Sequence, residues 1–244
     1  MINVAVLGAA GRMGTTVVNA VEAAPDLAVV AKLDAGDDFT FNGANVAVDF
    51  TVPSVTEDNV HKLIDAGIHA VVGTTGWTDA ALGRVRAHLA EAPEVGVLIA
   101  PNFALSAVLS MRFAAIAAPY FESVEIIELH HPDKIDAPSG TALHTARGAA
   151  AARAAAGIAA SPDATTDELD GARGATVDGI RVHSVRLRGL TAHEEILFGN
   201  QGEQLTIRTD SFDRSSFMPG VLLAIREVVG RPGLTFGLDG YLSL

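Results

Sequence analysis

"MINVAVLGAAGRMG", residues 1–14, is the stretch on which the fold turns. An apolar run from Asn3 to Leu7 leads straight into Gly8, and Gly11 and Gly14 follow as a helical pattern begins at Arg12. A strand that turns on glycine into a helix gathers backbone N–H groups and the positive end of a helix dipole at one point, which suits a pyrophosphate. The spacing is GxxGxxG rather than GxGxxG, so the context has to carry the reading. Asp34 lies 20 residues beyond Gly14, at the end of the next apolar run. An acid there accepts from an adenosine ribose hydroxyl. The bland alternative is a glycine turn that only lets a helix pack closely, with Asp34 a solvated strand end.

Outward from this stretch, short apolar runs alternate with segments of helical period, the pattern of parallel strands joined by crossover helices. Strands are expected at Asn3–Leu7, Ala28–Leu33, Val46–Phe50, His69–Val72 and Val97–Ala100, with helices at Arg12–Ala23, Val55–Ala66 and Asp79–Glu91. "GTTG" (73–76) and "APNF" (100–103) follow two of these strands, at the edge where open α/β sheets bind ligands. A further helix is expected from Phe103 to Ala118, after which the pattern changes. "SVEIIELHH" reads as a strand, an alanine-rich helix begins at Ser139, and "IRVHSVRL", "HEEILF" and "EQLTIRT" read as strands, the last two paired antiparallel across "GNQG". The final thirty or so residues return to helix and end in an apolar tail. The expected fold is therefore α/β: a Rossmann-like dinucleotide-binding domain, residues 1–103 and 214–244, and an α+β substrate-binding and oligomerisation domain with an open mixed sheet, residues 104–213. Two connections between them would make a hinge.

Composition narrows the function. Of 244 residues, 49% are hydrophobic and 19% charged, the balance of a folded chain. The formal charge is −12 and no basic stripe is visible, which argues against a nucleic-acid partner. An anionic small molecule would need a local cluster of positive groups and N–H donors. There is no cysteine, no secretory signal pattern at the N-terminus and no apolar run of spanning length, so the expectation is a cytoplasmic protein without a membrane partner.

"ELHHPDKIDAPSGTA", residues 128–142, supplies such a cluster. Neighbouring residues on a strand point to opposite faces, so His130 and His131 do not converge on a metal while the strand stays regular, although Glu128, Asp133 and Asp136 leave a hard-metal site formally open. A histidine can donate a proton near neutral pH while Lys134 neutralises a carboxylate or a developing negative charge. Ser139, Gly140 and Thr141 then open a helix and form a second anion cradle. Singly, each of these residues has a structural explanation; together, beside a nucleotide domain, they suit proton transfer to an anionic substrate.

The same stretch resembles the hallmark of the 4-hydroxy-tetrahydrodipicolinate reductase (dihydrodipicolinate reductase) family. "VLGAAGRMG", "VVGTTG", "APNFA", "RGATVDGI" and "FMPGVLLA" resemble further family segments in family order, so the resemblance covers essentially the whole chain. It implies an NADH- or NADPH-dependent reduction of a cyclic dicarboxylate in diaminopimelate and lysine biosynthesis. His130 is the implied proton donor and Lys134 the second catalytic and substrate-binding residue, with His131, Gly140 and Thr141 holding the dicarboxylate. The implied nucleotide contacts fall on Gly8, Ala9, Ala10, Gly11, Arg12 and Met13, on Asp34, on Gly73, Thr74 and Thr75, and on Ala100, Pro101, Asn102 and Phe103. The family also implies a homotetramer built through the substrate-domain sheet. Asp34 is followed by Ala35 and Gly36 rather than by the basic residue some relatives carry, so use of both cofactors is expected, NADH at least as well as NADPH. Another nicotinamide dehydrogenase of this architecture, or an NAD(H) sensor without catalysis, are the alternatives; a sensor has no use for a proton donor.

Overall fold

Strands that are apolar on both faces can only sit at the centre of a covered sheet. In the computed structural model, which describes residues 1–242, that holds for β1 (Ile2–Leu7), β3 (Val46–Asp49), β4 (His69–Val72) and β5 (Gly96–Ile99), which are almost wholly buried. With β2 (Leu27–Leu33) and β11 (Gly233–Phe236) they form a six-stranded sheet in the order β11-β5-β4-β3-β1-β2, every pair parallel. One face packs on α2 (Thr56–Asp65) and α3 (Asp79–Leu89) through Val60, Leu63, Ile64, Leu82, Val85 and Leu89. The helices α1 (Arg12–Ala23) and α6 (Met218–Val228), each with a buried valine-rich stripe, pack against each other, and α6 lies on β4 and β5. This is the Rossmann-like arrangement. Strand order reverses at β1, between β2 and β3, which places the ligand-binding crevice beyond the carboxyl ends of β1 and β3.

The chain divides into two units, Met1–Ala104 with the segment from Arg214 onward, and Leu105–Asp213. In the second unit, β7 (Ala175–Val177), β8 (Ile180–Arg186), β6 (Ser123–His130), β9 (Ala192–Asn200) and β10 (Glu203–Ser211) form a mixed sheet in the order β10-β9-β6-β8-β7, with β6 and β8 the parallel pair. One face, with Val124, Ile126, Val182, Ile196 and Phe198, is covered by alanines of α4 (Leu105–Ala117) and α5 (Gly140–Ala155), whose small side chains allow close approach. Arg153, buried near the end of α5, donates to the carbonyls of Ala118, Phe121, Glu122 and Ala159 and so ties the chain leaving α4 to the end of α5. The opposite face presents half-buried Ile127, Leu129, Val185 and Leu197. Among the described residues no helix is long and apolar enough to cross a membrane.

Three features differ from the sequence reading. β11 completes the parallel sheet between the last expected helix and the apolar tail, where no strand was expected, and the short β7 lies before "IRVHSVRL" in a segment to which no strand was assigned. The helix expected from Phe103 begins at Leu105, because the Asn102 side chain accepts from Ala104 N at 2.9 Å and holds a turn there.

Asp49 closes β3 with its side chain fully buried. Its carboxylate accepts from Thr51 N (2.8 Å) and Thr51 Oγ1 (2.6 Å), from Asn59 Nδ2 (2.9 Å) and from Thr74 Oγ1 (3.1 Å). It therefore pins the loop after β3 and the loop after β4 to one point at the ligand-binding edge. Asp49→Ala strands several of these donors and is expected to cost about 3 kcal/mol of stability, measured by denaturant titration; a loss under about 0.5 kcal/mol would show that the loops hold themselves.

Candidate active site

The glycine turn after β1 is built by exclusion of side chains. Gly8 has φ of 77°, and a Cβ on Gly14 would stand 1.9 Å from the Gly8 carbonyl oxygen, so neither position admits a larger residue without moving backbone. Gly11 is the residue before α1; no side chain caps that helix and its first turn has no acid. Arg12 is exposed at the same end. Together these leave an uncompensated, positively biased helix start of the kind that receives a phosphate.

Asp34 is brought to this turn. Its two carboxylate oxygens lie 3.1 and 3.0 Å from Ala10 N, which donates to them, and the exposed carboxylate keeps further lone pairs for a sugar hydroxyl. Gly73 and Thr75 lie at the carboxyl end of β4, but the Thr74 hydroxyl is committed to Asp49 and can offer a ligand only its backbone. Ala100 and Phe103 are buried, and the Phe103 ring packs on Phe50 at 5.8 Å, while Pro101 is exposed and Asn102 half-buried between them. The residues present thus fit a dinucleotide along this edge.

The second cluster stands on β6 and the start of α5. His130 ends β6 with Nδ1 2.5 Å from Glu128 Oε2. Glu128 has no exposed surface, and Arg186 grips both of its oxygens at 2.8 Å from the neighbouring strand β8. Ser139 N donates to the same carboxylate at 3.2 Å, so the start of α5 hangs on it too. Burial alone would raise the Glu128 carboxyl, but hydrogen bonds from His130, Arg186 and Ser184 outweigh it and bring it down to about 2. An ionised carboxylate only accepts, so His130 Nδ1 carries a hydrogen and Nε2 is the nitrogen left for chemistry.

Lys134 Nζ donates to Asp136 Oδ1 at 2.6 Å, and Arg186 reaches the Asp136 carbonyl at 2.6 Å. The Lys134 contact and the Gly140 N–H both hold the Asp136 carboxyl below its ordinary range, burial opposing. Two groups expected to receive a substrate carboxylate are thus turned to a carboxylate of the chain itself. Ser139 caps α5 by accepting from Ala142 N at 3.1 Å; Gly140 and Thr141 form the first turn, and no acid follows in it. His131 is exposed, just beyond the end of β6.

Sequence reasoning singled out neither Asp49 nor the pairing of Glu128 with His130 and Arg186. Glu128 is two residues before His130 on a strand, hence on the same face, and that signal was available. Arg186 stands opposite His130 through the parallel β6–β8 register, which no local pattern reveals. The remaining histidines whose partners are resolved lie elsewhere: His69 accepts from Gly96 N, His61 stacks on His88, His183 meets Glu125 and His193 meets Asp210.

Comparison with known proteins covers both units. The chain matches the model described as dihydrodipicolinate reductase, N-terminus, over residues 2–103, and that described as dihydrodipicolinate reductase, C-terminus, over residues 106–242. It is 67% identical over 245 aligned residues to the 4-hydroxy-tetrahydrodipicolinate reductase of Beutenbergia cavernae, spanning 100% of this chain and 99% of that protein. With the enzyme of the same name from Nocardia farcinica it shares 63% identity, over 100% and 99% of the two chains. A solved structure, dipicolinate-bound dihydrodipicolinate reductase from Paenisporosarcina sp. TG-14, superposes with a TM-score of 0.88 at 38% identity, covering 99% of this chain and 100% of that one. With relatives this similar over its full length, the chain belongs to the dihydrodipicolinate reductase family.

Proposed function

We propose that the protein reduces 4-hydroxy-tetrahydrodipicolinate, by way of dihydrodipicolinate, to tetrahydrodipicolinate on the diaminopimelate route to lysine, with His130 as proton donor. The observation that carries the role of His130 is the Glu128 contact: it fixes a hydrogen on Nδ1 and leaves Nε2 as the nitrogen that exchanges a proton with the substrate. The reaction removes water and adds hydride and proton across one carbon–carbon double bond. Bound reduced nicotinamide supplies the hydride. Hydride arrival leaves an electron-rich, enamine-like ring, and His130 Nε2 delivers the proton to its neighbouring carbon. Lys134 exchanges Asp136 for a carboxylate of the substrate and balances its charge; the Gly140 N–H, with Thr141 and His131, receives the dicarboxylate. Arg186 keeps Glu128 ionised, so that the imidazole stays oriented through the cycle.

Gly8–Met13 would hold the pyrophosphate of the cofactor, Asp34 its adenosine ribose, and the loops at Gly73–Thr75 and Ala100–Phe103 its nicotinamide end. Because Ala35 and Gly36 add no positive charge next to Asp34 while Arg12 stands exposed at the helix start, both NADH and NADPH serve, NADH at least as well. A homotetramer joined through the second sheet is supported by the apolar side chains Ile127, Leu129, Val185 and Leu197 on its uncovered face. The absence of cysteine suits a cytoplasmic setting.

Steady-state kinetics on the product of the upstream synthase test this reading. His130→Asn is expected to lower kcat by about two orders of magnitude with NADH affinity unchanged, and Lys134→Ala to lower kcat and raise KM together. Near-normal rates in both would refute the roles, and a hundredfold preference for NADPH would refute the cofactor assignment. For the assembly, Leu197→Asp is expected to convert a sedimenting tetramer into smaller species with secondary structure intact; a parent chain that already sediments as a monomer contradicts the interface.

A further inference from the structure

Behind the proton donor lies a second buried carboxyl that the mechanism does not use. In the β6–β9 register Glu194 stands opposite Glu128, and the two are 4% and 0% exposed. Two ionised carboxylates on adjacent strands, facing the same core, repel each other, so one of them keeps a proton. Arg186 and His130 are ion-paired with Glu128. Among the described residues no basic side chain pairs with Glu194, whose partner is Thr145 on α5. Its neighbour across β10 is Thr209, and the buried face of α4, Ala107, Val108, Ser110 and Ala114, brings no charge.

The Thr145 hydroxyl favours the protonated form of Glu194. Its oxygen lies 2.7 Å from Glu194 Oε1 and 3.0 Å from the Thr141 carbonyl oxygen. One hydroxyl hydrogen serves two pure acceptors only by being shared between them, which weakens both contacts. If Glu194 is protonated, it donates to Thr145, and Thr145 donates to Thr141, so both contacts are hydrogen bonds. Burial pushes the Glu194 carboxyl up to about 7, and the Glu128 charge adds to it.

We propose that Glu194 is a proton-holding positioning residue for His130: while it is neutral, the array behind the donor carries one carboxylate, and its ionisation adds a second negative charge that holds the His130 proton more tightly. The coupling runs through Glu128, which touches His130 and faces Glu194. Loss of the Glu194 proton therefore extends the protonated state of His130 to higher pH. The inference rests on His130 being the proton donor.

Carboxyl carbon NMR on the intact chain, with Glu194→Gln to assign the signal, tests the first half. The expected result is one glutamate that titrates with a midpoint near 7 and vanishes in the variant; titration of Glu194 in the ordinary glutamate range overturns the proposal. The pH profile of kcat/KM tests the second half. Glu194→Gln, locked neutral at the same shape, is expected to bring the alkaline limb down by roughly half a pH unit, and a limb coincident with that of the parent overturns the coupling. Retained turnover in His130→Asn would instead overturn the donor assignment while leaving the Glu194 titration standing, so the two failures are distinct.

Discussion

The buried carboxylate of Glu128 is the constraint on which the second unit depends. It joins three elements: its own strand through His130, the parallel neighbour through Arg186, and the start of α5 through Ser139 N. A charge in that position is costly unless its lone pairs are filled, and here they are. The arrangement does chemical work as well. Because the carboxylate only accepts, it dictates which imidazole nitrogen is free, and because it holds Ser139 it fixes the helix start proposed to receive the dicarboxylate. Donor and anion cradle share one anchor.

Asp49 plays the corresponding part in the first unit. It ends a central strand of the parallel sheet, beside the point where strand order reverses, and gathers side chains from the loops after β3 and β4 and from α2. The same edge carries the glycine turn after β1 and the loop in which Phe103 packs on Phe50. In both units, then, the chain beyond a central strand is tied down by an acid at or near that strand's carboxyl end, Asp49 on β3 in one and Glu128 on β6 in the other. Glu194 adds a subtler element, a buried acid whose ionisation would place a second charge beside the first.

Much of this was legible in the chain itself. The parallel strands of the first unit announced themselves as apolar runs spaced by helical segments, and Ser139 as the cap of α5 followed from its place before an alanine-rich run. The reach of that reasoning ended where partners come from distant sequence. Gly233–Phe236 is a strand only because β5 supplies its hydrogen bonds, and four residues with glycine among them carry no periodic signal. Arg186, Asp49 and Glu194 matter through register and burial, neither of which a local pattern encodes. Glu128 is the exception: two residues from His130 on a strand, it was within reach of the alternation rule.

The central claim, that Glu128 holds a hydrogen on His130 Nδ1 and leaves Nε2 to exchange, is tested most directly by nitrogen-15 NMR of the imidazole across a pH titration. The account predicts that His130 loses its proton from Nε2 while Nδ1 stays protonated, and that Glu128→Gln abolishes this preference. A neutral His130 with its hydrogen on Nε2 in the parent chain would contradict it.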